Sequence, residues 1–141
     1  LAGGRLGYAM GHPELIADLN KIKYSTNSYN INRLTLTAAA AAIDSNDYYV
    51  QNSRIIQENR AYTVAALERL GFETVPSLAN FIFTRCPAIP GGTLYEKLRA
   101  KGVLVRHWTK PAIADYLRIT IGSREQMDVL IQRTAEILRG E

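Results

Sequence analysis

Tyr116-Leu117-Arg118-Ile119-Thr120-Ile121-Gly122 is the stretch on which the fold turns. It alternates strictly. Leu117, Ile119 and Ile121 share one side, and Tyr116, Arg118 and Thr120 share the other. Side chains alternate across a strand with a period of two, so the apolar row predicts the core face of a strand. Arg118 then stands on the opposite face, among hydroxyls. Val103-Leu104-Val105-Arg106 follows the same logic, with Val103 and Val105 on one face and Arg106 closing the run on the other. If the two strands pair, two guanidinium forks could converge on one anion, because a planar fork binds carboxylate or phosphate bidentately. The plainer alternative is that each arginine is a solvated strand residue. Alternation alone leaves both open.

Around these strands the segment from Phe72 onward reads β-β-α-β-β-α. Strands are expected at Phe72–Val75 and Phe81–Thr84, and a helix from about Thr93 to Lys101, with Gly102 as separator. Ser123-Arg124-Glu125-Gln126 is a capping-box pattern. It opens a last helix with Met127, Leu130, Ile131, Thr134, Ile137 and Leu138 on one face. Strands that follow one another without a helix between them imply antiparallel pairing. The expected architecture is α/β, with an α+β small domain: a small mixed or antiparallel sheet covered by helices on one face. A long helix from about Asp47 to Leu70, with Ile55, Ile56, Tyr62, Ala65, Ala66 and Leu70 inward, leads into it. Gly71 is its expected C′ residue. The first 46 residues read as a separate layer. They comprise a short strand at Arg5–Met10, a helix opened by Pro13 with the stripe Leu15, Ile16, Leu19 and Ile22, and a polar loop from Ser25. Asn32 is expected to cap an Ala-rich helix through Ala38–Ala42, whose small side chains suit close packing and burial.

A chain of 141 residues with 47% apolar content can bury a core. The net charge of +4, from 17 basic and 13 acidic residues, is mild and scattered. No basic stripe interleaved with aromatics is visible, which argues against nucleic acid and suits a small anion. The single Cys86 excludes an internal disulfide framework and fits a reducing, cytoplasmic setting as a packed thiol. No segment is long and apolar enough to read as a membrane span, and no signal peptide is visible. Leu1-Ala2-Gly3-Gly4-Arg5 reads as the middle of a motif, so the chain is expected to be a piece of a longer one.

Beyond the strand arginines, Gly3-Gly4-Arg5-Leu6-Gly7 places flexible backbone beside a cation, which suits a phosphate. Tyr29 and Asn30, in the loop before the Ala-rich helix, could hydrogen-bond a ligand; an ordinary turn is the alternative. His12 and His107 stand without acidic or cysteine partners at metal-ligand spacing. No Ser-His-Asp pattern or phosphate-binding loop of the Walker type appears.

Leu1-Ala2-Gly3-Gly4-Arg5-Leu6-Gly7-Tyr8 resembles the segment after the catalytic lysine in fold-type I pyridoxal-phosphate aminotransferases. Tyr29-Asn30-Ile31-Asn32, Asn80-Phe81, Gly102–Arg106, Leu117–Gly122 and the final capped helix follow in that family's order. The resemblance covers essentially the whole chain and is greatest to the histidinol-phosphate aminotransferases. It implies that Arg5 holds the phosphate of pyridoxal phosphate, and that Arg106 and Arg118 grip the anionic group of a small substrate. Tyr29 and Asn30 would lie near the active site or the interface of a homodimer. Gly4 departs from a usual aliphatic residue, and Ser28 from a frequent proline. The lysine itself would lie just upstream of Leu1, so no catalytic residue is assigned within this chain. Lys21, Lys23, Lys97, Lys101 and Lys110 do not replace it.

The resemblance implies that residues 1–46 end the large cofactor-binding domain, while 47–141 form the small domain. The whole protein would transfer an amino group between histidinol phosphate and 2-oxoglutarate in histidine biosynthesis. The alternatives are threonine-phosphate decarboxylase, an aromatic aminotransferase, or a non-catalytic module that binds an anion or peptide. The isolated chain is expected to be inactive. Its uncovered first strand and Ala-rich helix should lead to association or an unordered N-terminus.

Overall fold

Two glycines stop helices that precede strands in the second half. In the computed structural model, which describes residues 2–141, the helices are α1 (Pro13–Thr26), α2 (Arg33–Asp44), α3 (Asn46–Arg69), α4 (Gly91–Ala100) and α5 (Arg124–Arg139). The strands are β1 (Glu73–Val75), β2 (Phe81–Arg85), β3 (Arg106–His107) and β4 (Tyr116–Thr120). Helix α3 ends at Gly71, with φ of 87°. There the Phe72 N–H donates to the Leu67 carbonyl at 3.1 Å and the Gly71 N–H donates to Glu68 at 2.9 Å. Gly102 closes α4 in the same way, through bonds from Val103 to Leu98 and from Gly102 to Arg99. A left-handed residue at this position suits glycine, and the turn it makes drops the next apolar side chain into the core.

The four strands form one antiparallel sheet in the order β1-β2-β4-β3. Ile82 and Thr84 of β2 and Leu117 and Ile119 of β4 are buried. Their strand neighbours Phe81, Phe83, Arg118 and Thr120 are not. The alternation therefore does divide the sheet into a core face and an open face. Leu67 from α3, Leu94 and Leu98 from α4, and Met127, Leu130 and Ile137 from α5 belong to the same buried cluster as the inward strand residues. Burying one such leucine contributes roughly 1.5–3 kcal/mol. Gly91 is buried where an added Cβ would lie 2.6 Å from the Ala114 carbonyl oxygen. That approach lets α4 begin two residues earlier than the pattern suggested.

The expected strand at Val103–Arg106 is paired only at Arg106–His107. Val103 and Val105 still pack against the core while Leu104 is exposed, so the alternation holds where the ladder does not. On α3 the inward face runs through Asn59, Thr63, Ala66 and Leu67, whereas Ile55 and Ala65 are exposed. Polar residues hold the inner positions because their groups are satisfied. Asn59 donates to the Gly122 carbonyl at 3.0 Å, and the Thr63 hydroxyl donates to the Asn59 carbonyl at 2.7 Å.

The chain divides into two compact units, the first through Val50 and the second from Gln51 to Glu141. The expected strand at Arg5–Met10 does not form: a 3₁₀ turn at Ala2–Gly4 leads into irregular backbone. A strand needs a partner for its N–H and C=O groups, and no strand is described elsewhere in this unit. Leu1, the first residue of the motif, lies outside the described residues. Pro13 opens α1, and the Asn32 side chain caps α2 by accepting from the Thr35 N–H at 2.8 Å. Neither helix contains a buried residue. The expected burial of the Ala-rich helix is therefore absent. Ala39 and Ala42 are half-covered and the rest of the alanine run is exposed. Among the described residues no helix is long and apolar enough to cross a membrane.

Candidate functional site

Arg106 and Arg118 are directly opposite one another where β3 pairs with β4. Opposite residues of an antiparallel pair project to the same face, with Cβ atoms about 4.5–5.5 Å apart. The two cations therefore share the open face of the sheet, and both are exposed. Like charges placed this way repel. No carboxylate relieves them, since among the described residues neither arginine has an ion pair. Arg85, on the same face, is different. It is paired with Glu73 at 2.7 Å, and the hydrogen bond it donates to that carboxylate raises its pKa further.

Aromatic rings floor the arginine pair. Phe83 lies opposite Arg118 in the register of β2 with β4, stacks on Tyr116 at 4.6 Å and meets Trp108 edge-on at 6.1 Å. The Arg118 guanidinium stands 5.2 Å from the Phe81 ring centre and 5.9 Å from that of Trp108. The Arg106 guanidinium is 5.5 Å from the same Trp108 ring. An electron-rich face attracts a cation without neutralising it. The forks thus stay free to bind an incoming anion. The aromatic floor was not read from the sequence. Its signal was available: Phe81 and Phe83 alternate with the buried Ile82 and Thr84, and Trp108 follows Arg106 at the strand period.

The remaining predicted residues meet in the first unit. Arg5, Tyr29 and Asn30 line one pocket of about 420 Å³, together with Gly7, Lys23 and Ser28. Arg5 adopts a left-handed φ of 54°. That conformation costs an ordinary residue about 1–2 kcal/mol and is a feature of constrained sites. Two cations, two hydroxyls and an amide make a donor set that fits a phosphate group. Lys23 was set aside in the sequence as no replacement for the catalytic lysine, and its place in this pocket was not foreseen. His107 accounts for itself structurally, with Nε2 2.8 Å from the Ala114 carbonyl and its ring stacked on Tyr95. A groove of about 490 Å³ along Leu104, Ile119, Met127 and Val129 is mainly apolar and is lined by neither strand arginine.

A sequence profile of the aminotransferase class I and II family matches residues 1–133. The chain belongs to that family. It is 44% identical, over 97% of its length, to histidinol-phosphate aminotransferase 1 of Pseudomonas fluorescens, of which it spans 39%. Its fold superposes with a TM-score of 0.83 on histidinol-phosphate aminotransferase from Sinorhizobium meliloti, solved in complex with pyridoxal-5'-phosphate. That match has 25% identity and covers 99% of this chain and 38% of the other. L-threonine-O-3-phosphate decarboxylase from Porphyromonas gingivalis also matches, with a TM-score of 0.65, 25% identity, and 77% and 35% coverage. This aminotransferase-family chain thus spans about two fifths of the length of the curated relative it matches.

Proposed function

We propose that this chain is the C-terminal part of a pyridoxal-phosphate-dependent aminotransferase that moves an amino group between histidinol phosphate and 2-oxoglutarate in histidine biosynthesis. The observation that carries it is the cross-strand pair Arg106 and Arg118, exposed side by side and, among the described residues, without a carboxylate partner. In the first half-reaction the pair grips the substrate phosphate. In the second it takes the carboxylate of the other substrate. Each fork offers parallel N–H donors, so one clamp serves both anions, each of which presents a pair of oxygens to the fork.

Pyridoxal phosphate, when bound, supplies the electron sink for the exchange. The residues of this chain bind and orient. Arg5, with Lys23 beside it in the same pocket, would hold the cofactor's phosphate, and Tyr29 and Asn30 would add hydrogen bonds to a ligand from that pocket. Holding a reactant in a fixed orientation lowers the entropic part of the barrier. Residues 1–46 belong on this reading to the large domain and 47–141 to the small one. The whole protein acts as a cytoplasmic homodimer whose lysine comes from the rest of the polypeptide.

A second reading, threonine-phosphate decarboxylase, draws support from the likeness to the P. gingivalis enzyme and from a clamp equally suited to a phosphorylated amino acid. Steady-state assays of the whole protein decide between them. Turnover of histidinol phosphate with 2-oxoglutarate is expected, with little or none of threonine phosphate or phenylalanine. Preference for threonine phosphate with release of carbon dioxide would replace the first reading with the second. Turnover of none of them by the whole protein would favour a non-catalytic anion- or peptide-binding module.

A further inference from the structure

We propose that Trp108 is a positioning residue: it holds the Arg106 and Arg118 guanidiniums in one anion clamp by offering both of them a face of the same ring. This inference rests on the clamp described above and concerns what keeps it assembled. Two cations directly opposite across a strand pair repel and, being long and exposed, would swing apart into solvent. Arg85 shows what an arginine of this sheet does when a carboxylate is in reach: it forms an ion pair with Glu73. Such a partner would neutralise a fork and occupy its donors. An aromatic face restrains the cation and leaves its N–H edge free.

Trp108 is placed for that task. It is half-buried, two residues beyond Arg106, and its ring centre lies 5.5 Å from the Arg106 guanidinium and 5.9 Å from that of Arg118. Phe81 touches Arg118 alone, and Tyr116 serves Arg85. Trp108 is thus the one ring among the described contacts shared by both clamp arginines. Its own orientation is fixed from the side. Phe83 meets it at 69°, and Phe83 in turn is stacked on Tyr116 with an interplanar angle of 11°. The support runs Tyr116, Phe83, Trp108, then the two cations. Tryptophan has the most strongly attractive face of the aromatic residues, which suits a ring serving two charges.

The test follows the arginine side chains themselves, so that phosphate bound elsewhere on the chain does not count. In the unsubstituted chain, labelled for NMR, the Nε–Hε resonances of Arg106 and Arg118 should both be displaced by the Trp108 ring current. Both should move together, saturably, when inorganic phosphate is added at constant ionic strength. W108L keeps apolar bulk against Phe83 but removes the π face, and is expected to weaken phosphate binding at the arginines about tenfold. W108F should stay within about threefold of the original, since it retains a face. Circular dichroism establishes that each variant is folded. If R106Q and R118Q leave phosphate binding at the remaining arginine unchanged, the clamp itself is wrong. If they lose it while folded W108L binds as well as the original chain, the clamp stands and the role assigned to Trp108 falls. Should W108L not fold, the unsubstituted chain decides: absence of a ring-current displacement at either arginine overturns the proposal, and its presence at both supports it.

Discussion

An arginine facing another arginine across two strands is an unfavourable placement, and it carries the sharpest prediction. Losing one charge-assisted, bidentate contact removes about 1.5–3 kcal/mol, so Arg118→Ala in the whole protein should raise KM for a phosphorylated substrate roughly 10–100-fold. The same residue serves both half-reactions on the proposed reading, so KM for 2-oxoglutarate should rise with it. Steady-state kinetics with each substrate varied in turn checks this, and an unchanged KM for both would remove Arg118 from the site. Gly91 is a residue-scale case of a different kind. A methyl group there meets the backbone of Ala114 and Asp115 at 2.6 Å, and backbone does not yield as a flexible side-chain end does. Gly91→Ala is expected to cost about 1–3 kcal/mol, read as a lowered denaturation midpoint with unchanged slope.

At the scale of elements, α5 is held at both ends by polar chemistry, of which the N-terminal cap is visible in its letters. The Ser123 hydroxyl accepts from the Gln126 N–H, and the Gln126 side-chain oxygen accepts from the Ser123 N–H at 2.9 Å. Ser123→Ala should cost about 1 kcal/mol by removing that cap. Near the other end, Glu136 accepts from Arg133 at 3.0 Å and from Lys101, beyond the end of α4, at 3.1 Å. Those hydrogen bonds, Arg133 first and Lys101 second, hold its pKa down at about 2, below an ordinary value of 4.5. Its folded pKa is depressed, so its stabilising contribution is complete above about 4.5 and is lost as the pH falls toward 2. Melting temperature measured across that window should fall less steeply in Glu136→Gln than in the original chain. Parallel curves would mean that the network does not couple α4 to α5 in solution. The Lys101 arm of this network joins residues 35 apart, and nothing in the local pattern around either one announces the other.

At the scale of the whole molecule, the two units differ in how much they bury. Met127, Leu130, Thr134 and Ile137 of α5 are buried, whereas α1 and α2 contain no fully buried residue and leave Leu15, Leu19, Ile22, Leu34 and Ile43 largely exposed. Exposed apolar surface on that scale favours association. Size-exclusion chromatography with light scattering should find the 141-residue chain in oligomers, and a monodisperse monomer would contradict the expectation. On the proposed reading this chain's residues bind and orient while the lysine belongs to another part of the polypeptide, so the same chain should show no transaminase turnover by itself. Turnover by the purified chain would overturn that assignment.

By itself the sequence determined the alternation of β4, the capping of α2 and α5, the glycine stops after α3 and α4, and one arginine opposite the apolar side of each of two segments. These are local matters, governed by backbone preference and side-chain period over a few residues. Only tertiary structure decided that β3 would shrink to two residues, that Asn59 and Thr63 would point inward, and that Arg5–Met10 would find no partner. It also decided, by pairing β3 with β4, that the two arginines would share one face, and that Trp108 would lie beneath both cations. Each of those outcomes depends on what stands opposite: a strand to complete a ladder, a carbonyl to satisfy an amide, a ring to face a charge. Such partners come from distant parts of the chain, and their meeting is written in packing rather than in spacing.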